Sequence, residues 1–119
     1  MTRYKVNQDA VKKAESLIDS HHYVLDSEWS DAQPPTDDVN DHLDKLGWMD
    51  YGKWFLAIDT EASERTKDRY GFLYGDFRRL HRSGIIAAKQ RAAQNDHDEI
   101  EQAADRLLQK IDQESSVKQ

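Results

Sequence analysis

The sequence predicts an α+β domain that is predominantly α-helical, and three features predict it. Ile100, Ala103, Ala104, Leu107, Leu108 and Ile111 recur at i, i+3, i+4, i+7, i+8 and i+11, the apolar stripe of an amphipathic helix. A second apolar face, Ile85, Ile86, Ala88, Ala92 and Ala93, ends a few residues earlier. The two segments are therefore expected to fold back as an antiparallel helical hairpin with an alanine-lined seam. The third feature is a pair of short aromatic runs, 53–58 and 70–74, which allow one short β-hairpin beside four or five helices.

Asn7 has the chemistry of an N-cap, with Val6 and Val11 at the two positions of a hydrophobic staple. Val11, Ala14, Leu17 and Ile18 continue at helical spacing and predict a helix over about residues 8–21. Tyr23-Val24-Leu25 reads as a brief extended piece. Residues 26–35 read as a loop, because Pro34-Pro35 does not fit a helix interior. Thr36 then caps a helix with Asp37 and Asp38 at the positive end of its dipole, Val39, Leu43 and Leu46 as its stripe, and Gly47 as its stop. The run 53–58 fits a strand or a buried helical turn equally well. Residues 60–69 read as a short exposed helix with Glu61 and Arg65 as an i,i+4 pair, and 70–75 as a strand or ordered loop whose partner is 53–58. Ser83 or Gly84 opens the next helix, which runs to about Gln94. Asp96 and Glu99 then form a D-x-x-E variant of the capping box for the last one. One domain over 1–112 and a flexible tail over 113–119 are expected.

With 37% hydrophobic and 34% charged residues the chain is polar, yet three Trp, five Tyr and three Phe argue against general disorder. No run approaches the roughly 20 apolar residues of a membrane span. The first twenty residues hold no hydrophobic signal stretch. Cysteine is absent, which excludes disulfides and thiolate metal sites. A cytoplasmic protein with no membrane partner and no cofactor is the expectation.

The net charge of -6 is unevenly distributed. Residues 1–64 carry six Lys and Arg against fourteen Asp and Glu, residues 65–91 eight against two, and residues 92–119 three against seven. Within the basic segment Arg78, Arg79, His81 and Arg82 precede a helix start, with Lys89 and Arg91 on the helix itself. A helix N-terminus and planar guanidinium forks suit phosphate, and the interleaved Tyr70, Phe72, Tyr74 and Phe77 suit stacking on exposed bases. The competing reading pairs these cations with the acidic N-terminal half and places the rings in the core, as charge runs commonly do. The overall negative charge also opposes nonspecific nucleic-acid binding.

The histidines His21, His22, His42, His81 and His97 are scattered, and no two stand at i,i+4 on one helical face, so no metal site is expected. Asp76, His81 and Ser83 supply the residue types of a nucleophilic triad, but Ser83 is more simply a helix N-cap. Trp29, Trp48 and Trp54 read as packing residues.

Trp29-Ser30, Gly47-Trp48, Tyr51-Gly52-Lys53-Trp54 and the long run from Thr66 through Tyr74-Gly75-Asp76-Phe77-Arg78-Arg79-Leu80-His81-Arg82-Ser83-Gly84 to Ala93 resemble a family of small uncharacterised bacterial proteins. The resemblance covers about residues 23–112; Leu73 departs from it, standing where a proline is expected. It implies a small stand-alone bacterial protein and carries no activity, substrate or cofactor with it.

The leading functional expectation is a non-catalytic binding module that engages an anionic partner, nucleic acid or an acidic protein surface, through the basic and aromatic segment 65–91. One alternative is a small hydrolase-like enzyme using His81 or His97 with nearby carboxylates. The other is an assembly protein that forms a homo-oligomer through Ala88 and Ala92.

Overall fold

The computed structural model describes residues 4–117, and its C-terminal end is the helical pair that the sequence predicts. Helix α4 (Arg82–Gln94) and helix α5 (Asp98–Val117) lie against each other. Ile100, Ala103, Ala104, Leu107 and Ile111 of α5 are all buried, as are Ala88 and Ala92 of α4. Burying each large aliphatic side chain contributes about 1.5–3 kcal/mol, and the alanines let the helix backbones approach closely. That seam lies inside the chain, so Ala88 and Ala92 have no free face to offer a second subunit.

The connection between the two helices corrects the expected capping box. Asp96 has φ +58°. Its N–H donates to Ala93 O at 3.3 Å and that of His97 donates to Ala92 O at 2.8 Å. This is a Schellman closure, so Asp96 ends α4 and does not open α5. The same device ends α1 (Gln8–Asp19), where His21 has φ +63° and the His22 N–H returns to Leu17 O at 2.8 Å. At the other end, α5 continues to Val117, past the expected domain limit at Asp112. The last two residues of the expected tail lie outside those described.

Against the helices packs a three-stranded antiparallel sheet in the order β1-β3-β4, formed by β1 (Tyr4–Val6), β3 (Phe55–Asp59) and β4 (Tyr70–Leu73). The β3–β4 pair, with Phe55 opposite Leu73 and Ile58 opposite Tyr70, is the hairpin that the aromatic runs allowed. Three residues are too few to show a period, which is why β1 has no signal of its own in the sequence. It pairs with β3 from Tyr4 opposite Asp59 to Val6 opposite Ala57. A second sheet is a two-residue parallel pair, β2 (Tyr23–Val24) beside β5 (Leu80–His81).

Several local expectations give way to tertiary demands. Residues 29–32 form one helical turn, α2 (Trp29–Ala32), inside the expected loop. Gly47 does interrupt helix α3 (Thr36–Gly52) as expected, leaving helical geometry at φ 83° and ψ 174°, but a second helical piece follows directly and carries the segment on to Gly52. Pro35, not Thr36, occupies its N-cap position, and Leu46 of the expected stripe is 59% exposed. Residues 60–69 are turns closed by a 3-10 turn over Lys67–Arg69, so Glu61 and Arg65 do not share a helical face. Asn7 does sit at the N-cap of α1, but its side chain caps nothing. It donates instead to Gly52 O at 2.8 Å and Phe55 O at 3.0 Å, tying α1 to the end of α3 and to β3.

A candidate binding cleft and a buried histidine relay

The basic segment divides into committed and free groups. Arg82 forms a forked pair with Asp112 (Nε–Oδ1 2.8 Å), and Lys89 bonds Asp105 at 2.8 Å, both linking α4 to α5. Arg91 lies over the Phe72 ring at 5.6 Å. Arg78 and Arg79 are exposed; their backbone N–H groups donate to Asp76 Oδ1 at 2.9 and 2.7 Å. These five cations therefore do not converge on one surface. Of the aromatic candidates, Phe72 and Tyr74 are buried and offer no face to a base, while Tyr70 is half-buried at the surface. Tyr74 donates its hydroxyl proton to Lys53 O at 2.8 Å, and burial pushes its pKa well up.

His81 is buried within a continuous chain of hydrogen bonds. Its Nε2 lies 2.9 Å from Asp76 Oδ2, and its Nδ1 lies 2.8 Å from Ser27 Oγ. Ser27 Oγ in turn lies 2.9 Å from Ser83 Oγ. Burial alone would raise the Asp76 pKa, but the His81 bond and the two backbone N–H bonds outweigh it and hold the carboxyl below its ordinary value. Asp76 is thus ionised at neutral pH and only accepts. Ser83 occupies the second position of α4 rather than its N-cap, which is His81.

Two open clefts are formed by the described residues, and the first of them reaches Asp76. One, of about 430 Å³, is lined by Asp31, Asp38, Asp41, His42, Lys45, Asp76, Phe77 and Arg78 among others. Its carboxylates outnumber its cations. His42 lies on its wall, bonded to Asp50 at 2.6 Å and stacked on Phe77 at 4.4 Å.

The other cleft, of about 550 Å³, has the opposite character. It is lined by Trp48, Met49, Lys53, Arg65, Arg69 and Tyr70, and also by the carboxylates of Asp9 and Glu64. The Trp48 and Tyr70 rings are within 17° of parallel, with centroids 6.1 Å apart. Tyr51 meets each of them edge-on at 5.5 Å and fixes their orientation. Arg69 is held in place by a 2.9 Å bond from Nη1 to Ala62 O. Met49 is 82% exposed on α3, just after the Gly47 kink.

Sequence reasoning found Tyr70 of this second cleft and placed Arg65 and Arg69 in the basic segment, but took Trp48 for packing and missed Lys53. Trp48 and Lys53 come from the acidic half of the chain, and only the packing of α3 beside the Lys67–Tyr70 segment joins them to the others. Ser27 was missed for a related reason, being 54 residues from His81. Among the described residues no group of three or more His, Asp or Glu is placed to hold a metal ion, and no helix is long and apolar enough to cross a membrane. No known protein family, curated protein or solved structure matches the chain.

Proposed function

We propose that the protein is a binding module for single-stranded nucleic acid and that the Trp48–Tyr70 cleft is its site. The observation that carries this reading is the near-parallel ring pair, with Lys53, Arg65 and Arg69 lining the same cleft. Every base has a π-face, so stacking on aromatic side chains contributes about 1–3 kcal/mol per base with little sequence preference. The three cations supply phosphate contacts. Against Asp9 and Glu64 they leave a small local excess of positive charge on a chain of net charge -6. Attraction is therefore confined to the cleft, which suits a short single strand and disfavours long tracts of duplex.

The test is a tryptophan-fluorescence titration with short oligo-dT at several salt concentrations. Saturable quenching is expected, with log K falling against log salt at a slope of about -2, since three phosphate contacts on a single strand each contribute about -0.7. Trp48→Ala and the pair Arg65→Ala with Arg69→Ala should each weaken binding at least tenfold, followed by anisotropy of a labelled oligonucleotide. Absence of binding at low salt, or binding indifferent to both variants, overturns the proposal.

A further inference from the structure

We propose that Ser27, His81 and Asp76 form a second, catalytic site, a nucleophilic serine with its base and orienting carboxylate, that hydrolyses small carboxylic esters. The site is separate from the Trp48–Tyr70 cleft, and the inference does not depend on nucleic-acid binding.

The direction of each hydrogen bond follows from chemistry. Asp76 Oδ1 accepts from the Arg78 and Arg79 backbone N–H groups, and as a carboxylate its Oδ2 also accepts, so His81 Nε2 carries the proton. In the neutral imidazole Nδ1 then bears the lone pair, and the Ser27 hydroxyl must donate to it across 2.8 Å. The Ser83 hydroxyl completes the order by donating to Ser27 Oγ at 2.9 Å. A serine whose proton points at a base, which is itself oriented by a carboxylate, is the arrangement that activates a hydroxyl nucleophile. The imidazole is 6% exposed, which keeps water from competing for its lone pair, while Ser27 and Ser83 are only partly buried.

Ser83 belongs to the first turn of α4, and its bond to Ser27 brings the serine to that helix end. The first backbone N–H groups of a helix have no helical acceptor, and α4 has no side-chain cap. Those N–H groups are donors for a developing oxyanion. The half-buried Trp29 ring lies 6.1 Å from that of His81 and gives the site one apolar neighbour.

In the acylation step Ser27 Oγ forms a bond to the ester carbonyl carbon and its proton passes to His81 Nδ1. The C–O bond to the alcohol breaks and the alkoxide leaves with that proton. Water repeats the sequence on the acyl-serine, releasing the acid and restoring the hydroxyl. Asp76 is a positioning residue throughout.

The chain has no cysteine, so Ser27→Cys introduces a single thiol and gives a clean readout. In the native protein a fluorophosphonate probe should label one serine, located at Ser27 by peptide mass mapping, and Ser27→Ala should abolish both labelling and hydrolysis of p-nitrophenyl butyrate. The Ser27→Cys protein should react with iodoacetamide at pH 6.5 at least tenfold faster than free cysteine. Adding Asp76→Asn should move the midpoint of that pH profile upward, a shift that a purely structural carboxylate would not produce. Folding of each variant is checked by circular dichroism. An unlabelled Ser27 in folded native protein, or a folded Ser27→Cys variant no more reactive than free cysteine, overturns the proposal.

Discussion

Asn7 and Asp76 show how far one side chain's role can depart from its residue type. Asn7 reads as a cap, yet its amide satisfies two backbone carbonyls of another region, Gly52 O and Phe55 O. Serine caps helices as well as asparagine does, but it is too short to reach those carbonyls. Asn7→Ser should therefore destabilise the fold nearly as much as Asn7→Ala, by about 1–3 kcal/mol in urea unfolding, because buried acceptors are left unpaired. A cap alone would make the serine variant neutral. Asp76 joins the Arg78–Arg79 turn to His81, and its folded pKa lies below the ordinary value of 3.8. A depressed carboxylate contributes stability that is present above its unfolded pKa and lost as pH falls through the folded one. Asp76→Asn should lower stability at pH 7 and flatten the decline of stability below about pH 4, as followed by denaturant midpoints across pH.

At the scale of elements, glycines decide where helices bend and touch. Gly47 kinks α3 at φ 83° and ψ 174°, a region that is essentially glycine-only, although the space around it is open. Gly47→Ala should cost about 1–3 kcal/mol through backbone strain alone. Gly84 poses the reverse case within α4. Alanine there gains about 1 kcal/mol of helix propensity, but its Cβ would fall 2.5 Å from Tyr74 O and 2.9 Å from the Trp29 ring. We expect Gly84→Ala to lower Tm despite its better propensity, because a backbone carbonyl and a packed indole cannot both retreat. The α4–α5 ion pairs matter less. Arg82 and Asp112 are 35% and 51% exposed, and such pairs contribute about 0–1 kcal/mol. The combined variant Arg78→Ala, Arg79→Ala, Arg82→Ala should therefore keep its fold, with thermal unfolding showing only a small shift.

Across the whole molecule, one aromatic cluster connects sheet and helices. Tyr51, Trp54, Phe55 and Tyr74 are buried in it, and Phe77, at φ +67°, reaches it from the loop before β5. Phe77 also stacks on His42 at 4.4 Å and is the chain neighbour of Asp76. Phe77 is only partly buried, so Phe77→Ala should cost less than the roughly 3–5 kcal/mol of a fully buried phenylalanine, read from thermal unfolding. The same variant should leave the slope of oligonucleotide binding against salt unchanged, because Trp48, Tyr70 and the cleft cations do not include it.

The sequence by itself determined the helical pair, because Ile100 to Ile111 and the alanines of α4 repeat at a period that only a helix can bury on one side. It also determined the α1 segment and limited 53–58 and 70–74 to a short hairpin. Local signals misled wherever another part of the chain had a stronger claim on a side chain or a turn. Asn7 turned from its own helix to Gly52 and Phe55; Asp96 closed one helix instead of opening the next; residues 60–69 became a connection short enough to join β3 to β4. Only the tertiary structure could bring Ser27 to His81 or Trp48 to Tyr70. Each of those pairs joins segments more than twenty residues apart, and periodicity and capping act within a few turns of chain, so neither carries information over that distance.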